Sequence, residues 1–239
     1  MTQLISIPDD PAHPDFLFRL RGVTLGLPEG LANDAIIGKL EEGSYEGDEA
    51  RAVDRCVRPG FRVLELGAGL GYVGALAGKK TEPGNVLSVE ANPDLLPVIR
   101  ANHARNGLED ISLMHGAVVG HAEDGATANF HIATGFTGSR LGARGGRQVE
   151  VPLIGFHELI RAHRPHVVLM DVEGAEAHFF DRPWKCPLRF CVMEIHPKQY
   201  DAAVIKKIID RMSAMDMTYD PVTSRGKILG FRKVWSAGA

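Results

Sequence analysis

The stretch that most restricts the fold of this chain is "VLELGAGLGYVGALAG", residues 63–78. An apolar run followed by closely spaced glycines and an apolar, helix-like segment is typical of a buried strand that enters a helix through a tight turn. A second strand and helix follow at 84–93 and 95–107, and "ISLMHGAVV" (111–119) is expected to be a third strand with its following turn. This βαβαβ order predicts an α/β fold with a parallel sheet covered by helices.

The second half of the chain departs from simple alternation. Two strands (127–133 and 147–154) are predicted around a glycine-rich loop, with helices near 156–163 and over 202–215. "HVVLMDVEGAE" (166–176) and "RFCVMEIHP" (189–197) are apolar runs that end in charge, as central parallel strands do at their carboxyl ends. "TYDPV" and "KILGFRKVW" are expected to close the mostly parallel sheet with an antiparallel C-terminal hairpin strand.

The segment before the glycine turn is expected to be an extension of the main domain. Residues 16–27 alternate as in a strand or hairpin, and 31–42 and 46–57 have helical patterns. The sequence therefore predicts an N-terminal strand and helix extension over residues 1–45 and one main domain over residues 46–239.

Composition restricts the partners. A chain of 239 residues with 44% hydrophobic content and a formal charge of -3 has no basic surplus for nucleic acid. Its apolar runs are shorter than the ~20 residues of a membrane span, and its first residues lack the basic start of a secretory signal. We therefore expect a cytoplasmic protein that binds neither nucleic acid nor membrane. The sequence does not indicate the oligomeric state.

The glycine turn can be interpreted in two ways. Residues 69, 71 and 74 give the G-x-G-x-x-G pattern of nicotinamide enzymes, whereas Gly67, Gly69 and Gly71 follow Glu65 at the end of a strand. Glu90 ends the next strand, where a carboxylate can accept hydrogen bonds from ribose hydroxyls. An acid at position 65 would repel a pyrophosphate but suits a cationic sulfonium ligand, which favours the second interpretation. An NAD-dependent oxidoreductase and a cofactor-binding module without catalysis remain as alternatives.

Five segments in order, "LELGAGLGYVG", "VLSVEANP", "NHARNG", "MDVEGAE" and "MEIHP", resemble the class I methyltransferases that use S-adenosylmethionine, and "DVEGAE" with "EIHP" resembles the FkbM family. The resemblance implies a Rossmann-like fold, S-adenosyl-L-methionine as cofactor, and O-methylation of a hydroxyl on a small molecule, sugar or glycan. Such families often carry Asp where this chain has Glu65. The cofactor-binding residues that it implies are Tyr45, Glu46, Glu65, Gly67, Ala68, Gly69, Gly71, Glu90, Ala91, Gly116 and Ala117.

The two acid-tipped strands predict a catalytic rim of Asp171, Glu194 and His196. A hydroxyl is a poor nucleophile until a base takes its proton, which suits a histidine whose tautomer is fixed by a neighbouring carboxylate. Glu194 and His196 are two apart on a strand and so are expected to share a face. Glu173 and Glu176 are interpreted as strand ends that face solvent. The same acids could instead hold a divalent metal such as magnesium, which is the minor alternative.

A loop rich in glycine and arginine, "GSRLGARGGR", separates two of the predicted strands. Arg140, Arg144 and Arg147 could line a lid that binds phosphate or carboxylate on the acceptor, because guanidinium groups bind such oxyanions bidentately. The alternative is that the loop is a solvent-exposed hairpin tip that binds no ligand. The identity of the acceptor does not follow from the sequence, because a fold does not dictate a substrate.

Overall fold

The computed structural model describes residues 15–133, 138–141 and 147–235. The strands are β1 (Phe16–Leu20), β2 (Val23–Leu27), β3 (Val63–Leu66), β4 (Val86–Glu90), β5 (Ser112–His115), β6 (Ala117–Val119), β7 (Thr127–Ile132), β8 (Arg140–Leu141), β9 (Arg147–Gly155), β10 (Val167–Met170), β11 (Phe190–Glu194), β12 (Met217–Tyr219) and β13 (Ile228–Lys233). The helices are α1 (Asp34–Glu42), α2 (Gly47–Cys56), α3 (Tyr72–Lys80), α4 (Leu95–Arg105), α5 (Phe156–His163) and α6 (Ala202–Ala214), with short 3₁₀ turns at Glu29–Leu31, Pro83–Asn85 and Ala175–His178.

Seven strands form the central sheet in the order β12-β13-β11-β10-β3-β4-β5. Strands β11, β10, β3, β4 and β5 are parallel, whereas β13 runs antiparallel to both of its neighbours, β11 and β12. The predicted fold class, a mostly parallel sheet with an antiparallel C-terminal hairpin strand, is confirmed. Strands β3 and β10 lie in the middle, and every residue of each is buried, which explains their continuous apolar character.

Helices cover both faces of this sheet. One apolar core lies between the sheet and α2, α3 and α4, and a second lies between the sheet and α5 and α6. Each predicted helix of the main domain is present, and α5 occupies the predicted residues 156–163. Among the described residues, none of the helices combines the length and the apolar content that crossing a membrane would need.

The expected third strand is β5, and another strand begins where only a turn was expected after it. Strand β5 ends at His115 in the central sheet, and β6 begins at Ala117 in a separate four-stranded sheet of order β6-β9-β7-β8. Between them, Gly116 has φ +155°, and a Cβ there would lie 2.8 Å from the carbonyl oxygen of Pro152. This glycine lets the chain leave one sheet for another, with β9 close against it, so the expected turn leads directly into a further strand.

The N-terminal hairpin of β1 and β2 packs into the same core as α2, α3 and α4. Two asparagines of the "NHARNG" segment attach it. Asn102 accepts from the N–H of Gly26 (2.7 Å) and donates to the carbonyls of Gly26 (3.2 Å) and Leu70 (2.9 Å). Asn106 makes the same pair of bonds to Thr24, so the two side chains satisfy the backbone of β2 as a neighbouring strand would. The domain boundary after residue 45 stays a prediction.

Replacing Asn102 tests this attachment. The side chain is fully buried, so Asn102→Ala should leave three backbone groups without partners and lower the free energy of unfolding by about 2–4 kcal/mol. Denaturant unfolding followed by circular dichroism measures the change. The exposed Asn129 on β7 provides the control, because Asn129→Ala should change stability by no more than about 0.5 kcal/mol. Equal effects of the two substitutions would contradict the role given to Asn102.

Candidate functional site

A cavity of about 740 Å³ opens at the carboxyl ends of β3, β4, β10 and β11. This is the edge of an open α/β sheet at which ligands bind. Its walls come from the glycine turn after β3, the end of β4, the segment before α2, the small sheet and the turn after β10. Eight residues predicted to bind cofactor line it, namely Tyr45, Glu46, Gly67, Gly69, Glu90, Ala91, Gly116 and Ala117.

The glycine turn contributes backbone to the cavity wall. Gly67 has φ +83°, and a Cβ there would overlap the carbonyl oxygen of Asp171, so no other residue fits. Gly69 has φ +54° and packs against the side chains of Tyr45 and Glu46. Ala68 is buried and does not line the cavity. Gly71 begins α3 and faces His103, so its missing side chain serves helix packing.

Glu90 lies at the end of β4 with its carboxylate held by backbone. One oxygen accepts from the N–H of Gly69 (3.0 Å) and the other from the N–H of Asn92 (2.8 Å). Burial raises the pKa of Glu90 above its usual value, although these N–H groups oppose the shift. Because each carboxylate oxygen can accept more than one hydrogen bond, Glu90 can still bind hydroxyl groups at the cavity wall.

Glu65 lies away from the cavity. Glu65 is 2% exposed, and its carboxyl accepts from the hydroxyl of Ser88 and packs against Gly74 near the start of α3. Burial raises its pKa to about 7. The structure therefore places this acid between the sheet and α3, where it joins β3 to β4, and not at the wall where the sequence argument expected a contact with a cationic ligand.

Tyr45 and Glu46 close over the glycine turn from the segment that precedes α2. Glu46 has φ +45°, and its carboxyl oxygen Oε1 and the hydroxyl of Tyr45 both lie against Gly69. Its other oxygen is buried and has no hydrogen-bond partner. Burial, followed by the charges of Glu49 and Glu65, raises the pKa of Glu46 well above its usual value. The cavity thus contains a carboxyl group that a cation or a donor could stabilise.

The structure brings the three residues of the predicted catalytic rim together. It also shows which of them line the cavity, which the sequence did not indicate. Asp171 and Glu194 line the cavity, whereas His196 lies behind Asp171 and is 9% exposed. Its Nε2 is 3.4 Å from Asp171 Oδ1 and 3.5 Å from Glu173 Oε2. Glu194 pairs with Lys227 (3.4 Å) and is not the carboxylate that orients the histidine. Burial and the nearby Glu194 raise the pKa of Asp171 to about 7.

Glu176 is the residue of this site that sequence reasoning missed. It was interpreted as a solvent-facing strand end, but it is fully buried and accepts from Nδ1 of His196 at 2.9 Å. The chain turns after Asp171, with Glu173 and Gly174 at positive φ, and the 3₁₀ turn Ala175–His178 carries Glu176 back into the interior. The sequence signal was present in the glycine of "DVEGAE", which permits such a turn.

Two arginines of the arginine-rich loop have different surroundings. Arg140 lines the cavity, while Arg147 pairs with Asp94 at 2.8 Å, in front of α4. Arg144 lies outside the described residues. Asp171, Glu173 and His196 are the one group in the described part of the chain whose potential metal ligands lie within 4.8 Å of one another, which is the geometry that the metal alternative needs.

The family model named methyltransferase FkbM domain matches residues 71–221. The chain belongs to this FkbM methyltransferase family. The chain is therefore a methyltransferase that depends on S-adenosylmethionine. This favours the interpretation of the glycine turn as Gly67, Gly69 and Gly71 over the pattern of nicotinamide enzymes. A comparison with curated proteins gave no match.

Solved structures similar to this FkbM methyltransferase include three other methyltransferases. One is a ribosomal protein L11 methylase from Lactobacillus delbrueckii subsp. bulgaricus (15% identity, 80% of each chain covered, TM-score 0.45). A precorrin-6y C5,15-methyltransferase from Geobacter metallireducens has 14% identity and a TM-score of 0.48, with 85% of this chain and 92% of that chain covered. The magnesium protoporphyrin IX methyltransferase from Synechocystis, with SAM bound, has 12% identity and a TM-score of 0.46, with 85% of this chain and 86% of that chain covered. The family assignment does not depend on them.

The cavity of this methyltransferase suits its cofactor. The bare backbone at Gly67 and Gly69 permits close approach, and the Glu90 carboxylate can accept hydrogen bonds from ribose hydroxyls. Ala117 and Val118 of β6 supply an apolar wall on which a flat base could pack. These residues would bind the adenosine half, and Tyr45 and Glu46 would close over it.

Binding of S-adenosylhomocysteine tests the role of Glu90. Glu90→Ala should weaken binding by about 1–3 kcal/mol because it removes charge-assisted hydrogen bonds to the ribose. Isothermal titration calorimetry on the parent and the variant gives the difference. Glu109→Ala, at an exposed position after α4, is the control and should bind as the parent does. An unchanged affinity in a correctly folded Glu90→Ala protein would remove Glu90 from the cofactor site.

Proposed function

We propose that this FkbM methyltransferase methylates a hydroxyl group on a small molecule, sugar or glycan. The observation that carries the proposal is the carboxyl of Asp171, which lines the cavity and has His196 directly behind it. Methyl transfer to an alcohol requires removal of the hydroxyl proton, so a proton acceptor at the cavity wall supports an oxygen nucleophile.

Asp171 is the proton acceptor in this mechanism. A general base is most effective when its pKa lies near the working pH, and the pKa of Asp171 is about 7 because burial and Glu194 disfavour its charge. S-adenosylmethionine, when bound, supplies the methyl group on a positively charged sulfur. The chain itself holds the acceptor oxygen near Asp171, takes its proton there, and shields the site with Tyr45 and Glu46.

The acceptor would enter between the turn after β10 and the segment before α2. Lys39, Arg225 and Lys227 line the cavity, and so does Arg140 of the small sheet. Arg225 lies 3.5 Å from Asp48, so part of this positive charge is already balanced. A phosphate or carboxylate group on the acceptor could bind Arg140. This is the role that the sequence analysis suggested for the arginine-rich loop.

Replacing Asp171 tests the proton acceptor. Asp171→Asn keeps the shape but cannot take a proton, so turnover should fall by about 10²- to 10⁴-fold with little change in affinity for S-adenosylhomocysteine. His196→Ala should also lower turnover, because it removes the group behind Asp171. The exposed Asp124→Asn is the control and should leave turnover unchanged. Methyl transfer from labelled cofactor to a panel of hydroxyl acceptors provides the measurement.

The pH dependence gives an independent prediction for the parent enzyme. Only the ionised carboxylate can accept a proton, so the rate should rise with pH and level off above about 7, the pKa of Asp171. The reaction should also be indifferent to a chelator. Loss of activity in EDTA with recovery in magnesium would instead assign the three ligand atoms of Asp171, Glu173 and His196 to a metal ion.

A further inference from the structure

Glu176 is a fully buried carboxylate, and the apolar residues Ala177, Phe179 and Phe180 that follow it along the chain are buried too. Burying a charge of this kind is costly unless hydrogen bonds satisfy it. It lies in the 3₁₀ turn Ala175–His178, one layer behind the cavity wall. Because Glu176 does not line the cavity, a contact with the acceptor does not explain why it is buried there.

Three donors satisfy the carboxylate of Glu176. Oε1 accepts from Nδ1 of His196 at 2.9 Å and from the hydroxyl of Tyr200 at 2.6 Å, while Oε2 accepts from the N–H of Gly174 at 2.9 Å. The Tyr200 hydroxyl in turn accepts from the backbone N–H of His196 at 2.8 Å. Glu176, Tyr200 and His196 thus form a closed ring of hydrogen bonds that holds both the backbone and the imidazole of the histidine.

This ring of hydrogen bonds decides which way the imidazole points. Because Nδ1 donates to Glu176, Nε2 is turned towards the cavity, 3.4 Å from Asp171 and 3.5 Å from Glu173. The charged or titratable groups around His196 are Asp171 and Glu173 from the turn after β10, Glu176 from the 3₁₀ turn, and Tyr200 from the segment before α6.

We propose that Glu176, together with Tyr200, is a positioning residue that holds Nε2 of His196 against Asp171 and so prepares the Asp171 carboxyl to accept the acceptor's proton. Neither residue lines the cavity, so both act through the histidine. The inference rests on the proposed function, since it assigns to Asp171 the role of proton acceptor.

The electrostatics of the chain give this arrangement a measurable consequence. Burial alone would lower the pKa of His196, but the hydrogen bond and charge of Glu176, then Asp171 and Glu173, raise it above its usual value. The resulting imidazolium favours the ionised form of Asp171, whose pKa burial and Glu194 otherwise raise. Removing the charge of Glu176 should therefore make His196 less readily protonated and Asp171 less readily ionised.

Glu176→Gln is the first test, because it keeps the size of the side chain and removes its charge. Turnover should fall by about 10- to 1,000-fold, while KM for the acceptor and affinity for S-adenosylhomocysteine stay within about twofold of the parent. The acidic limb of the pH–rate profile should move to higher pH, since the pKa of Asp171 rises. A role in folding alone would lower stability without moving that limb.

Tyr200→Phe is the second test and does not depend on Glu176→Gln being folded. It removes the hydrogen bond to Glu176 and the one that the hydroxyl accepts from the backbone N–H of His196, and it leaves the bond between Glu176 and the His196 ring in place. Turnover should fall by about 3- to 10-fold, less than in Glu176→Gln. Tyr219→Phe, at an exposed tyrosine on β12, and Glu158→Gln, at the exposed pair with Arg161, are the matched controls and should behave as the parent.

An NMR titration of the His196 ring separates this inference from the proposed function. In the protein without acceptor, the pKa of His196 should lie above its usual range and should fall in Glu176→Gln, whatever reaction the enzyme catalyses. If the pKa does not fall, or if both variants turn over at the parent rate with an unchanged pH profile, the positioning role is overturned. If the pKa falls but no hydroxyl acceptor is methylated, the proposed function is overturned and the ring of hydrogen bonds stands.

Discussion

The close approach of β3 and β10 is the constraint on which the site depends. The two strands pair in parallel, and the pairing continues past their ends, where the N–H of Asp171 donates to the carbonyl of Leu66 at 2.9 Å. Gly67 must lack a side chain because the carbonyl of Asp171 occupies that space. The glycine turn and the proposed proton acceptor are therefore held together by backbone geometry.

Negative charge dominates the region that this approach creates. Burial, together with the charges of neighbouring carboxylates, raises the pKa values of Glu46, Glu49 and Asp171. Such a cavity favours a ligand that brings positive charge or hydrogen-bond donors. A cofactor with a positively charged sulfur and an acceptor rich in hydroxyls both meet that condition. The same repulsion keeps one carboxyl, that of Asp171, close to the pKa that proton transfer at neutral pH requires.

Polar side chains inside the fold perform two different tasks. Asn102 and Asn106 satisfy the backbone of β2 and join the N-terminal hairpin to the domain, so their value is structural. Glu65 joins β3, β4 and α3 in the same way. Glu176 is equally buried but satisfies His196, which lies behind Asp171 of the cavity wall. A buried acid therefore bears on function when its partner contacts a residue that lines the site.

The sequence by itself determined the fold class, the succession of strands and helices in the first half of the chain, and the edge of the sheet where the cavity lies. Apolar runs, glycine turns and acid-tipped strands are local patterns with direct physical causes. It also placed Gly67, Gly69, Glu90 and Asp171 at one edge, since the carboxyl ends of parallel strands meet there. Only the tertiary structure showed that Glu65 turns inward, that the chain changes sheets at Gly116, and that Glu176 and not Glu194 holds His196. These outcomes depend on which side chains meet across distant segments, and the direction of a side chain after a turn is decided by packing that no local pattern contains.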